Sequence, residues 1–473
     1  MKKSLSHIDL IYFLGIGGIG MSAIARYFLK KGKIVAGYDK TATPLTERLK
    51  EEGAKIHFSD SAELAKKEIE KYARERILIV YTPAIPKDSL IYQYFLSEGF
   101  YLSKRAEILG VITSDTYTAA VAGTHGKTTT STMLAHLLIE ANYHCTAFLG
   151  GISGNYLNNF VSTENGGDLI VHDQMHPTVV EADEFDRSFL KLSPDIAAVT
   201  SVDADHLDIY GTGDELIDSF QDFTACIKEG GILISKKGLN YVPKVVGDVK
   251  VFSYAINESA DFYATDIKII DGKYHFSLKS IVEEIKHIEV GLPGLHNVEN
   301  AVAAAAMAQK MGVGADIIKQ GLKSFKGVKR RFEYIVERKN RVYIDDYAHH
   351  PRELEASILS LRELYPQKKI TGIFQPHLFT RTRDFATGFA QSLGLLDEVI
   401  LMEIYPAREL PIPGIDANFL LGLIPLEHKR MLSVQQILDA IEDESIGVLV
   451  TLGAGDIDQL VNPIKQKLEK LWA

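Results

Sequence analysis

The chain has 473 residues, 46% hydrophobic and 24% charged, with a formal net charge of −10 at pH 7. That length suits about three domains, each able to bury its own core, and the acidic balance argues against a general nucleic-acid binder. Only two cysteines occur, Cys145 and Cys226, which suits a reducing cytoplasm and leaves no disulfide framework or metal-spaced cysteine pair.

An apolar stretch from Leu10 to Ile24 follows Met1-Lys2-Lys3, but glycines and polar residues interrupt it, so no signal peptide is expected. Nowhere do about 18 apolar residues run together, so no membrane span is expected either. Ile8 to Leu14 reads as a strand, Met21 to Lys31 as a helix, Ile34 to Tyr38 as a second strand and Ile77 to Thr82 as a later one. Between the first strand and helix, Gly15-Ile16-Gly17-Gly18-Ile19-Gly20 satisfies G-x-G-x-x-G. Asp39 ends the second strand, where an acidic partner for a ribose hydroxyl belongs. Taken alone, this is a dinucleotide fingerprint that points to a nicotinamide-dependent oxidoreductase; its plainer alternative is a glycine turn that lets helix and strand pack closely.

The next segment opens with the apolar run Ala119 to Ala122, then Gly123-Thr124-His125-Gly126-Lys127-Thr128-Thr129-Thr130, then a helix with Met133, Leu134, Leu137 and Leu138. A strand, a glycine turn and a helix N-terminus form a phosphate cradle, because free N–H groups and the positive end of the helix dipole favour an anion. Lys127 can reach the outer phosphates, and Thr128 is placed to hold magnesium. The general P-loop pattern wants a glycine where Val121 stands.

Further on, Thr178 to Val180 reads as a strand ending in Glu181-Ala182-Asp183-Glu184, and Ile196 to Val202 as one ending in Asp203-Ala204-Asp205-His206. Acidic residues at the carboxyl ends of parallel strands face the ligand crevice. Glu181 is the first choice as a magnesium ligand beside Thr128, with Asp183, Glu184, Asp203 and Asp205 as competitors; His206 suits a second metal or a phosphate. His296 and Asn297, after Gly294, suit contacts to a base or phosphate, unless Asn297 only caps the alanine-rich helix from Ala301 to Met311.

The third segment starts with Lys329-Arg330-Arg331-Phe332 as a hinge. Strand Val342 to Ile344 leads into Asp345-Asp346-Tyr347-Ala348-His349-His350-Pro351, where the proline starts a helix. Asp346, His349 and His350 resemble a metal cluster on paper, but adjacent histidines point in different directions, so binding of an acceptor or a nucleotide fits better. Ile370 to Phe374, Val399 to Met402 and Val448 to Leu452 are the remaining strands. Arg381 and Arg383, after Gln375-Pro376-His377, could clamp a carboxylate or phosphate or form a solvated surface pair. Strand–helix alternation throughout predicts three α/β domains: a Rossmann-like unit at 1–114, a central P-loop unit at 115–328 and a Rossmann-like unit at 329–473.

Together these motifs resemble the Mur ligases, ATP-dependent amide-forming enzymes of peptidoglycan synthesis. The shortened loop Gly123 to Thr129, Glu181 to Glu184, Asp205-His206, His296-Asn297, Arg330-Arg331-Phe332 and Asp345 to Pro351 fall in that family's order. The run Gly15 to Ser22, Gln375-Pro376-His377, Thr380-Arg381-Thr382, Pro411-Ile412-Pro413-Gly414 and Leu452 to Asp456 extend the likeness. The resemblance implies UDP-N-acetylmuramate and L-alanine as substrates, ATP and magnesium as cofactors, a cytoplasmic location and a monomer or homodimer. A sister ligase that adds a peptide or another amino acid is the alternative. It also implies that Gly15, Gly17, Gly18, Ile19, Gly20 and Asp39 hold a UDP group rather than a nicotinamide cofactor, with Thr82, Ala84 and Arg105 nearby. Lys127, Glu181, His206 and His349 would then be catalytic, with Thr128, Glu181 and His206 at metal. His296, Asn297, Arg330, Arg331 and Asp346 would bear on ATP, and Tyr347, His349, Arg381 and Arg383 on the acceptor. Phe185, Arg187 and the segment Ser162 to His176 depart from the family pattern.

Overall fold

A computed structural model describes residues 5–163, 176–204, 207–339, 341–407, 409–441 and 447–472. Three sheets follow one another along the chain. The first has strands β1 (Leu10–Leu14), β2 (Ile34–Tyr38), β3 (Lys55–His57), β4 (Ile77–Tyr81) and β5 (Leu102–Lys104), in the order β3-β2-β1-β4-β5. All its pairs are parallel, so the order reverses direction between β1 and β4. The glycine turn follows β1 and Thr82 follows β4, which puts both at this switch point, where parallel sheets bind ligands.

The central sheet holds β6 (Tyr117–Ala122), β7 (Thr146–Phe148), β8 (Phe160–Ser162), β9 (Pro177–Ala182), β10 (Ile196–Val199), β11 (Ile232–Lys236), β12 (Lys250–Ile256), β13 (Phe262–Ile270), β14 (Lys273–Ser280) and β15 (Ile285–Val290). Their order is β15-β14-β13-β12-β11-β10-β6-β9-β7-β8. β6 lies between β10 and β9, and the register sets Val121 beside Glu181. Residue 121 is therefore a fully buried strand position. The turn begins only at Gly123, whose φ of 141° suits glycine.

β13, β14 and β15 form an antiparallel meander, an element absent from the sequence reading. Its signal is Asp271-Gly272, with φ of 51° and 74°, the left-handed pair that a tight hairpin requires.

The helix Lys127–Glu140 is buried from Thr128 to Leu138. It packs on the helix Leu295–Lys310, where Ala301, Ala303, Ala304, Ala305, Ala306 and Ala308 are all fully buried. Alanine lets the two axes approach closely, and larger side chains there would cost about 1–3 kcal/mol in overpacking. The P-loop thus rests on a rigid support.

The last sheet contains β16 (Glu333–Arg338), β17 (Arg341–Asp346), β18 (Ile370–Phe374), β19 (Glu398–Leu401), β20 (Lys429–Met431) and β21 (Val448–Leu452), ordered β16-β17-β21-β18-β19-β20. It is parallel apart from β16. The three units differ in how they join. Ile11, Phe13, Ile24 and Phe28 of the first sheet's layer share one apolar cluster with Phe148, Phe160, Phe189 and Phe220 of the central one. The last sheet keeps two clusters of its own.

Candidate active site

At the first switch point, Gly15 has a φ of 85°, and a Cβ there would meet the Thr82 methyl at 2.6 Å. The Gly17 N–H donates to Asp39 Oδ2 at 2.7 Å, so Asp39 braces the glycine turn. Gly18 caps the helix Ile19–Lys30. Gly20 gives room to the Arg105 guanidinium, which would lie 2.9 Å from an added Cβ. Arg105 in turn donates to Asp183 Oδ2 at 3.1 Å, linking the turn to the central sheet. Gly18, Ile19, Gly20, Thr82, Ala84 and Arg105 line a cavity of about 560 Å³.

In the P-loop, Gly126 has a φ of 82° and caps the helix Lys127–Glu140. Ser201 accepts from the His125 N–H at 2.7 Å and meets the Thr124 hydroxyl at 2.9 Å, which pins the loop to the exit of β10. Thr128 Oγ1 donates to Glu181 Oε2 at 2.8 Å. Gly150 makes room for that carboxylate, because an added Cβ would fall 2.0 Å from Glu181 Oε2. These two hard oxygen groups fit a magnesium ion that takes its other ligands from phosphate and water. Among the described residues there is no group of three or more His, Cys, Asp or Glu side chains able to hold a metal. His206 and Asp205 lie outside the described residues.

Lys127 Nζ donates to the Gly123 carbonyl at 2.6 Å and pairs with Glu184 at 2.8 Å. Glu184 is 1% exposed at its side chain. Burial pushes its carboxyl up to about 7 against the pull of Lys127. Of the acidic competitors, then, Glu184 pairs with the P-loop lysine, Asp183 with Arg105, and Asp203 stands 3.7 Å from His125 Nε2.

Behind the loop lies a cavity of about 200 Å³ lined by His125, Gly126, Thr129, His296, Asn297, Arg331 and Asp346, among others. Gly294, not Asn297, is the cap of the helix Leu295–Lys310; Asn297 donates back to the Pro293 carbonyl at 2.6 Å. Burial, then Arg331, lowers His296 to about 4. Burial raises Asp346 to about 6, with Arg331 opposing.

The largest of these three cavities, about 820 Å³, joins the two regions. It shares Ile19, Gly150, Glu181, Asp183, Phe185 and Tyr347 with the first and His125, Gly126, Thr129, Arg331 and Glu353 with the second. Tyr347 has Arg330 and Arg331 over its ring at 5.2 and 5.0 Å. Arg330 is tied down by Asp345 at 3.0 Å and by the Gly453 carbonyl at 2.8 Å. His349 lines the large cavity, with Nδ1 at 2.9 Å from the Tyr347 carbonyl oxygen. His350 points elsewhere: it caps the helix Pro351–Leu364 and lies against the His125 ring at 4.9 Å.

Arg381 and Arg383 line none of these three cavities. Arg381 is buried in its helix, while Arg383 is half exposed and pairs with its neighbour Asp384 at 2.7 Å. One further residue escaped the sequence reading. Glu353, in the first turn after Pro351, meets His125, Arg331 and His349. Burial pushes its carboxyl up, yet His349 and His125 hold it well below the usual range. Its signal was its place three residues after the His350 cap, from which an acidic side chain reaches back to the N–H groups ahead of the helix.

Three family models match the chain in succession. They match residues 10–117 as "Mur ligase family, catalytic domain", 121–308 as "Mur ligase middle domain" and 330–456 as "Mur ligase, glutamate ligase domain". The chain belongs to the Mur ligase family and is an ATP-dependent ligase. The oxidoreductase suggested by the glycine turn alone is thereby set aside.

Two relatives named UDP-N-acetylmuramate–L-alanine ligase resemble it over almost their whole length. That of Porphyromonas gingivalis is 50% identical over 98% of this chain and 99% of the relative. That of Parabacteroides distasonis is 48% identical over 98% of both. Among solved structures, the UDP-N-acetylmuramate–alanine ligase of Thermotoga maritima superimposes with a TM-score of 0.79 at 24% identity, covering 97% of this chain and 99% of that one. A murein peptide ligase from Psychrobacter arcticus gives 0.69 at 22% identity over 98% of both chains. These two likenesses speak to the fold.

Proposed function

We propose that the chain joins L-alanine to UDP-N-acetylmuramate, converting ATP to ADP and phosphate, as a step of peptidoglycan precursor synthesis in the cytoplasm. The observation that carries this reading is the row of three adjoining cavities. They run from a glycine turn suited to a pyrophosphate, past Thr128, Glu181 and Lys127, to the Asp346–His349 loop. The near-complete length match to ligases of that name supports it. Units 1–114, 115–328 and 329–473 would each bring one substrate, with ATP shared between the last two.

In this reading the N-terminal N–H groups of helix Ile19–Lys30 bind the UDP pyrophosphate. Arg105 turns the muramyl end toward Glu181. A carboxylate oxygen of the sugar acid attacks the γ-phosphorus of ATP; the bond from that phosphorus to the β–γ bridging oxygen breaks, and ADP leaves. The product is an acyl phosphate. Lys127 exchanges Glu184 for the phosphoryl oxygens and stabilises their charge. Thr128 and Glu181 would hold magnesium, which when bound neutralises phosphate charge; His206 is proposed as a further ligand.

The L-alanine amine then attacks the acyl carbon, the carbon–oxygen bond to phosphate breaks, and phosphate departs. His349, whose Nδ1 is engaged with Tyr347, offers Nε2 to take the amine proton. Tyr347 flanks the acceptor, and His296, Asn297, Arg331 and Asp346 enclose the nucleotide. Arg381 and Arg383 reach the acceptor only if the last sheet's loops close over it, about the join near Lys329. Holding three reactants in register can supply roughly 7–11 kcal/mol of the barrier.

A coupled phosphate-release assay tests this. ATP turnover should require UDP-N-acetylmuramate and L-alanine together. Turnover with a tripeptide in place of L-alanine, and none with L-alanine, would overturn the substrate. Tight NADH binding without ligase activity would overturn the reading as a whole.

A further inference from the structure

One carboxylate stands at the seam between the nucleotide and the acceptor. Glu353 is 15% exposed at its side chain and lines both the 820 Å³ and the 200 Å³ cavities. Its Oε1 lies 3.3 Å from His125 Nδ1, in the P-loop, and 3.6 Å from Arg331 Nη1, at the join. Its Oε2 accepts from the His349 N–H at 3.0 Å and lies 3.1 Å from His349 Nδ1. The two oxygens therefore face opposite sides of the seam. Oε1 meets the loop that would cradle ATP; Oε2 meets the loop that would receive the amine. Pro351 at the first helical position and the His350 cap set where this helix starts, and so the backbone from which Glu353 reaches back.

We propose that Glu353 is a positioning residue that couples the two halves of the reaction, holding the His349 loop in register with the P-loop so that the amine, rather than water, reaches the acyl phosphate. This rests on the ligase reading above. When the register is lost, water adds to the acyl carbon, the carbon–oxygen bond to phosphate breaks, and the carboxylate and phosphate are released with no amide formed. ATP is then hydrolysed without product.

Glutamine is the informative replacement. Its amide keeps one acceptor oxygen, but its NH₂ group only donates. Oriented to satisfy one side of the seam, Glu353→Gln therefore turns a donor on the other, against either His125 and Arg331 or the His349 N–H. Glu353→Asp keeps both acceptors on a shorter arm and should recover part of the coupling.

The test measures ADP and amide product in the same samples of wild type, Glu353→Gln and Glu353→Asp, with melting points alongside. Wild type should release about one ADP per amide. Glu353→Gln should release at least about two, with the KM for L-alanine raised about tenfold and the KM for ATP within about threefold. Glu353→Asp should fall between. Misfolding alone would lower kcat and leave the ratio and both KM values unchanged, and that result overturns the proposal. So does a Gln variant whose ratio stays at one.

The second measurement needs no turnover. The His349 amide should exchange with solvent at least about tenfold faster in Glu353→Gln than in wild type, with the melting point unchanged. Equal protection refutes the positioning role whatever the reaction is. Absence of wild-type turnover with faster exchange in the variant refutes the assigned substrates and leaves the positioning role supported.

Discussion

Replacing Lys127 with alanine tests the geometry of the P-loop in two ways at once. In the wild type the Lys127 ammonium lies 2.8 Å from Glu184, whose side chain is 1% exposed. Burial lifts the Glu184 carboxyl from its ordinary 4.5 to about 7, with Lys127 restraining the rise. Because the folded value lies above the unfolded one, the native state holds the proton more tightly. The stability contributed by the neutral form is thus present below about pH 4.5 and is lost as pH rises through about 7.

Without Lys127 the restraint disappears. Glu184 then titrates higher, within the range up to about 8–9 that burial can produce. Wild type and Lys127→Ala should lose stability in parallel up to about pH 7, then diverge by about 1.4 kcal/mol per pH unit. By about pH 9 the gap attributable to Glu184 reaches roughly 2 kcal/mol. For a unit of about 200 residues that is about 4–8 °C in Tm. Calorimetric melts from about pH 6 to 9 read the gap, and Lys127→Ala/Glu184→Gln should close most of it above pH 7. A gap that stays flat with pH, or persists unchanged in the double variant, refutes the pairing. The same Lys127→Ala protein should lose ATP turnover and still bind UDP-N-acetylmuramate; loss of both would contradict the division of labour between the sheets.

Other outcomes follow from single contacts. Glu181→Gln and Thr128→Ala should each raise the magnesium concentration needed for half-maximal turnover and lower kcat, by about 10²–10³ for Glu181, as magnesium titrations of the rate would reveal. Gly150→Ala should act like a Glu181 variant, because the new methyl would displace a carboxylate now 2.0 Å from its position; the folding cost should be about 1–3 kcal/mol by denaturant melts. Asp39→Ala removes the 2.7 Å acceptor of the Gly17 N–H. It should weaken UDP-N-acetylmuramate binding about tenfold by calorimetric titration and leave the Kd for ATP unchanged.

Where chemistry is carried by residues adjacent in the chain, the sequence was legible. The glycine turn at Gly15, the loop from Gly123 to Thr129 and the acidic end of β9 each combine a strand end with a motif, and the parallel sheets bring them to one side. The Thr128–Glu181 pair could be read as well, since β6 and β9 both end there. What escaped depends on tertiary neighbours. Nothing local says that Glu184 rather than Asp183 meets Lys127, because that choice is made by the turn after β9, where Asp186 and Arg187 take φ of 52° and 54°. The bond from the Gly17 N–H to Asp39 is likewise a tertiary contact that the motif does not spell out. Glu353 was only partly legible, because His349 is its neighbour in the chain while His125 and Arg331 come from two distant segments. The meander β13 to β15 departs from the strand–helix alternation around it, and only Asp271-Gly272 marks its first turn in the sequence.

The central claim is that the P-loop activates a carboxylate. Its most direct measurement uses UDP-N-acetylmuramate labelled with oxygen-18 in the muramyl carboxylate, turned over with ATP and L-alanine. Mass analysis of the released phosphate should find one labelled oxygen for each amide formed, carried over when the acyl phosphate is cleaved. Amide formation accompanied by unlabelled phosphate would contradict it.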